Sequence, residues 1–216
     1  MVTEPTGGLV AASAREREDH AQIRDLIESW VLYRDSADWE AFRGVWHSGA
    51  WMTATWFQGP AEDFVEASRA GFDAGVEILH ALGGFTCRSN GSRAIAHTRM
   101  SIQQRGEIDA VLVDVTCVGR FYDFLEHRDG KWGLVRRQPA YDRDRLDTVD
   151  PLAELRLDPA ILDRFPVGYR HLAYLQEQAG YRVHQGLPGL RGAEIDQLYR
   201  EGDAWLAGSA RPGRYL

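Results

Sequence analysis

The stretch Phe121-Tyr122-Asp123-Phe124-Leu125-Glu126-His127-Arg128-Asp129-Gly130-Lys131-Trp132-Gly133-Leu134-Val135-Arg136-Arg137 decides the architecture. Asp129-Gly130 supplies the two residues that a tight hairpin turn needs in left-handed conformation. A long strand over 108–126 enters that turn and a second, over 131–141, leaves it. Upstream, segments 76–88 and 93–104 share the period of two and flank Ser89-Asn90-Gly91-Ser92, another hairpin signal. Four consecutive strands therefore form an antiparallel meander.

Helices precede it. Ser13-x-x-Glu16 has capping-box form and opens a helix with Ile23, Leu26, Ile27, Trp30 and Val31 on one face. Asp38 is placed to cap a short second helix that turns Trp39, Phe42, Val45 and Trp46 inward. Residues 51–57 are aromatic and β-branched and read as a strand, broken by Gly59-Pro60. The proline then opens a helix through Phe64, Val65, Ser68 and Phe72. Segregated helices against a meander mean α+β, with no βαβ alternation. Residues 151–216 hold three short helical segments: one from Asp158-Pro159, one over 169–179 and one over 193–206. That is too little for an independent core. The expected organisation is an N-terminal arm (1–14), the domain (15–150) and a helical C-terminal extension (151–216) docked on the domain or on a neighbouring subunit.

Composition narrows the chemistry. The 216 residues carry 25 Lys+Arg against 32 Asp+Glu, a net charge of −7, which disfavours nucleic-acid and anionic-membrane binders. Lys131 is the only lysine and sits in the hairpin turn, so P-loop and Schiff-base lysine chemistry is disfavoured. The two cysteines, Cys87 and Cys117, cannot build a disulfide framework. Residues 1–13 lack secretory-signal form, and no run reaches the roughly 20 apolar residues of a membrane span. A reducing, cytoplasmic compartment is expected. The seven histidines include no metal-binding spacing, and neither a nucleophile elbow nor a dinucleotide-binding glycine motif occurs. Acid–base chemistry by side chains alone, without metal or cofactor, is what remains.

Three residues are candidates. Asp35, after Tyr33 at the end of the first helix, reads on spacing alone as a turn residue. Among aromatic neighbours it could instead carry a raised pKa and act as a general base. His80 interrupts the apolar run Ile78-Leu79-His80-Ala81-Leu82; it is a core histidine or a catalytic one. A regular Asn90-Gly91 hairpin sets it opposite Ser101, unless a bulge at Gly83-Gly84 reverses the parity. In a regular Asp129-Gly130 hairpin Arg136 pairs with Asp123 and Arg137 with Tyr122. That leaves Arg137 the freer arginine to bind an anionic or leaving group.

Together, Tyr33-Arg34-Asp35-Ser36-Ala37-Asp38-Trp39, Ile78-Leu79-His80 and Asp129-Gly130-Lys131-Trp132-x-Leu134-x-x-Arg137 resemble the SnoaL-like branch of the nuclear transport factor 2-like superfamily. The similarity is greatest to its scytalone dehydratase and lindane dehydrochlorinase members. It covers about residues 15–145 and offers no counterpart for the tail. The resemblance implies a cone-shaped α+β barrel, a bent antiparallel sheet closed by N-terminal helices around an apolar pocket. It also implies an Asp35–His80 pair, a leaving-group role for Arg137 and a homodimer or homotrimer. Gln104 and Phe121 stand where the dehydratase members carry a second histidine and an asparagine, so a scytalone-type water-activating set is incomplete.

The expected function is a cofactor-independent lyase acting on a small aromatic or hydrophobic substrate. It would perform β-elimination such as dehydration, or C–C cleavage releasing formaldehyde. Tyr33, Trp51, Trp56 and Tyr122 are the expected pocket walls. The alternatives are a ketosteroid-type isomerase with Asp109 or Asp114 as acid partner, and a non-catalytic binding or assembly subunit.

Overall fold

The structure, a computed structural model, describes residues 13–210. Residues 1–12, most of the expected N-terminal arm, lie outside the described residues. Helix α1 (Ala14–Asp35) starts with a complete capping box. The Glu16 N–H donates to the Ser13 hydroxyl at 3.1 Å, and the Ser13 N–H donates to the Glu16 carboxylate at 2.6 Å. Its apolar stripe is buried, with Ile23, Ile27 and Trp30 no more than 1% exposed. Helix α2 (Trp39–Gly44) is capped by Asp38, whose carboxylate accepts from the Ala41 N–H at 3.1 Å.

The strand expected over 51–57 is displaced. Strand β1 runs Trp46–Thr53, and β2 is the separate short strand Gln58–Pro60, antiparallel to β1. Proline is tolerated there because β2 is a sheet edge. Helix α3 (Ala61–Asp73) buries Ala61, Phe64, Val65 and Ser68, while Phe72 stays 45% exposed. The meander follows as β3 (Glu77–Ser89), β4 (Arg93–Ile108), β5 (Val111–Arg128) and β6 (Lys131–Thr148). Asp129 and Gly130 both take positive φ, as does the pair Asp109–Ala110 at the preceding turn.

The fold is α+β, but the bent sheet is open and not a closed barrel. Its order is β2-β1-β6-β5-β4-β3, and β1 lies parallel to β6. Closure would require β3 to pair with β2. Instead α1 caps the free edge of β3: the Arg34 guanidinium donates to the Ile78 carbonyl at 3.2 Å, and the His80 N–H donates to Asp35 at 2.6 Å.

Two register shifts reset the expected pairings. The turn after β3 is longer than a two-residue loop, pairing Ser89 with Ala94, and a break between Leu82 and Phe85, at Gly83-Gly84, then sets His80 opposite Ile102 and not Ser101. A break between Phe124 and Leu125 sets Asp123 opposite Arg137 and Phe124 opposite Arg136. Each extra residue in one strand moves every pairing beyond it.

After β6 come α4 (Pro159–Leu162), α5 (Arg170–Gln178) and α6 (Ala193–Leu206). Helix α5 joins α1 and α3 on the inner face: Leu172, Ala173, Tyr174 and Leu175 belong to the same core as Trp30 and Phe121. Helix α6 covers the outer face, where Ile195, Leu198 and Trp205 pack on Tyr122, Phe124 and Val135.

Candidate active site

Asp35 ends α1 and His80 lies near the start of β3. The carboxylate grips the histidine twice: Oδ2 accepts the backbone N–H at 2.6 Å, and Oδ1 lies 2.9 Å from Nδ1. A carboxylate there holds the proton on Nδ1 and leaves the Nε2 lone pair free. The ring is buried, edge-on to Trp30 at 5.5 Å and tilted toward Phe121 at 6.3 Å. Burial lowers the His80 pKa below its usual 6.5; Asp35 pulls it up, while Arg34 and Arg137 push it further down. Desolvation thus outweighs the pull of the Asp35 carboxylate. A neutral, oriented imidazole results, which is what a general base at neutral pH requires.

Arg137 is not the free anion binder that a regular hairpin predicts. The shifted register sets it against Asp123, and its Nε and Nη2 each donate to that carboxylate at 2.7 Å, with both side chains 0% exposed. Its guanidinium lies 4.3 Å from the Trp30 ring and 4.1 Å from the Phe121 ring. Nη1 has no hydrogen-bond partner among the described residues. Burial pushes the Asp123 carboxyl up against the pull of Arg137. Asp123 is thus an inner-face residue, and the bulge makes it the partner of Arg137 and not of Arg136.

The expected walls divide. Trp56 lines a cavity of about 10 Å³, room for roughly one water, together with Arg34, Ser68, Gln104, Gln176 and Tyr181. Within it the buried Ser68 hydroxyl lacks a partner among the described residues. Tyr33 is half-buried against the core. Tyr122, however, faces outward beneath α6; a Cβ at Gly202 would come within 1.8 Å of its hydroxyl, so glycine lets the helix descend onto it. Trp51 pairs with outward Arg136, not with Arg137, and lines an open groove with Arg182 and His184. Neither is an inner-face wall.

The SnoaL-like domain family matches residues 15–138. The chain belongs to that family. A PEP2-like protein of Fusarium vanettenii is 36% identical, over 88% of this chain and 86% of its own. Pea pathogenicity protein 2 of the same fungus is 34% identical, with the same coverage. Among solved structures, a putative scytalone dehydratase from Novosphingobium aromaticivorans has a TM-score of 0.52 at 13% identity, covering 66% of this chain and 98% of its own. A hexachlorocyclohexane dehydrochlorinase gives 0.50 at 13%, covering 68% and 98%. These last two share the fold. The fungal likeness, at 88% coverage, necessarily runs into the extension.

In this SnoaL-like chain the extension reaches the inner face through α5. The Thr55 hydroxyl donates to Gln176 Oε1 at 2.6 Å, and Gln176 Nε2 donates to Gln104 Oε1 at 3.0 Å. Sequence reading missed Gln176, because a glutamine in a short amphipathic helix gives no local signal.

The extension also builds a second aspartate–histidine pair. Asp144 of β6 accepts from the His171 N–H at 2.6 Å and the Leu172 N–H at 2.8 Å, and its Oδ1 lies 2.8 Å from His171 Nδ1. Tyr169, next to it, donates to the His184 carbonyl at 2.8 Å and packs in the core. Asp109 sits in an exposed turn, and Asp114 is bound to Arg105 on the outer face at 2.7 Å. Neither can serve the inner face as an isomerase acid. Among the described residues no group of three or more His, Cys, Asp or Glu is placed to hold a metal, and no helix is long and apolar enough to cross a membrane.

Proposed function

We propose that the chain is a lyase that acts on a small aromatic or hydrophobic substrate by side-chain acid–base chemistry. The observation that carries this reading is the Asp35–His80 pair, with a neutral imidazole held in an aromatic enclosure. His80 Nε2 takes a proton from carbon, Asp35 stabilises the imidazolium that forms, and a hydroxyl or similar group leaves from the adjacent carbon. Loss of a small aldehyde from a deprotonated hydroxyl needs the same base. Arg137, neutralised by Asp123, contributes field and packing near His80 and not a free anion site. Any self-association would use a surface other than the outer sheet face that α6 covers.

The test is incubation of purified protein with aromatic alcohols, halides and enones, with and without chelator. Chelator-resistant turnover that disappears in His80→Ala supports the reading. Turnover that persists in His80→Ala, or that the chelator removes, overturns it. Isomerised enone in place of an elimination product reassigns the same base to proton transfer between carbons.

A further inference from the structure

Most arginines on the outer sheet face have a carboxylate. Arg105 binds Asp114 at 2.7 Å, Arg136 binds Glu201 at 2.7 Å and Arg145 binds Asp147 at 2.9 Å. Arg99 of β4 and Arg120 of β5 do not, among the described residues, although they face each other directly across the ladder. Like charges in directly opposed positions destabilise a sheet. Arg143 of β6 joins them one row away, opposite Val118, and forms an ion pair with Asp142 at 3.0 Å.

Asp142 is the extra residue of a bulge, since Val118 pairs with Arg143 while Gly119 pairs with Tyr141. Three guanidinium groups and one carboxylate leave this region at 3 − 1 = +2, on a chain whose formal net charge is −7. They border a groove of about 650 Å³ whose remaining walls include Ala81, Val118 and Leu190, the last 38% exposed, with the Ser101 hydroxyl beside them. The stem of Arg99 lies along Gly83, 3.5 Å from where a Cβ would stand, so the bulge glycine gives it a flat bed. The field of Arg120 is felt nearby: after burial, it is the next cause that lowers the His97 pKa.

We propose that this groove binds a compact dianionic head group, that of a phosphate monoester, carried on a small apolar body. Two opposed guanidinium forks match paired anionic oxygens, and a bound dianion converts their repulsion into attraction. The apolar walls take the body. This site is on the opposite face of the sheet from His80 and does not depend on the catalytic reading.

The experiment is calorimetric titration of the full chain with phenyl phosphate, inorganic phosphate and sodium chloride at matched ionic strength, repeated on Arg99→Gln/Arg120→Gln. Glutamine keeps most of each stem and removes the charge. Phenyl phosphate should bind several-fold more tightly than inorganic phosphate, and the double variant should weaken both at least tenfold. Without ligand, Arg120→Gln alone should raise the thermal midpoint by about 1–2 °C through relief of like-charge repulsion. Phosphate affinity unchanged in the double variant, heats no larger than those of chloride, or a lowered ligand-free midpoint in Arg120→Gln would each overturn the proposal.

Discussion

The molecule contains the same aspartate–histidine grip twice. In both, one carboxylate oxygen takes the histidine backbone N–H and the other meets Nδ1, at 2.6 and 2.9 Å for Asp35–His80 and 2.6 and 2.8 Å for Asp144–His171. The two even share one row across the sheet: His80 pairs with Ile102, Ile102 with Cys117 and Cys117 with Asp144. Their surroundings differ. His80 is a strand residue, 8% exposed in its side chain, facing Trp30 and Phe121 beside a buried guanidinium. His171 opens α5, its side chain 21% exposed, and Asp144 also accepts the Leu172 N–H, as a helix cap does. The grip alone is therefore only a way to orient a ring. What the Nε2 edge faces decides whether orientation is used for chemistry or for anchoring a helix.

The sharpest way to break this distinction is to remove each ring. His80→Ala should lower turnover by about 10²–10⁴-fold, the range for a lost general base, whereas His171→Ala should change it less than about twofold. Steady-state rates of both variants on the same substrate decide the matter; equal losses would erase the difference. Next is the guanidinium that only the first pair possesses. Arg137→Met strands Asp123 in the core and should cost about 3–5 kcal/mol of unfolding free energy, read from denaturant midpoints. Asp35→Asn should cost about 10²-fold in rate. The His80 N–H obliges the amide to turn its oxygen toward the backbone, so the NH₂ faces Nδ1 and the proton moves to Nε2. Asp144→Ala should instead act on stability, by about 1–2 kcal/mol, as a lost cap does. A rate loss with unchanged stability would contradict the anchoring role.

How much of this the sequence discloses depends on the range of the signal. The capping box at Ser13 and Glu16, the Asp129-Gly130 turn and the α6 bounds are local, and they are read correctly because a few neighbouring side chains determine them. The Asp35–His80 pair is legible only through family resemblance, since 45 residues separate its members. Facing is where reading fails. One extra residue in β6, Val135 opposite the Phe124-Leu125 step, shifts the partners of Arg136 and Arg137 by one, turning an expected free cation into half of a buried pair. Tyr122 and Trp51 fail likewise: their aromatic character is plain, but the face they occupy is set by register and by the helix that Gly202 lets approach. The open edge of β3 was hidden too, because Arg34 and Asp35 cover it with side chains and not with a strand.

The smallest effect is read by pH at the first pair. Burial holds the His80 pKa below 6.5, so the folded protein keeps this ring neutral where the unfolded chain would already take up a proton. Between the folded and unfolded values the unfolded state binds more protons, so stability must fall as pH drops below about 6.5 and be fully present above it. In His80→Gln that contribution vanishes, and the thermal midpoint should vary less over this window than in the unaltered chain. Turnover should follow the same group with its own signature: kcat/KM should decline on the acid side with an apparent pKa below 6.5, because only the neutral ring accepts a proton. A rate profile whose acid limb lies above 6.5, or a midpoint profile unchanged by His80→Gln, would assign the titration elsewhere and leave the buried pair as an anchor like its counterpart on α5.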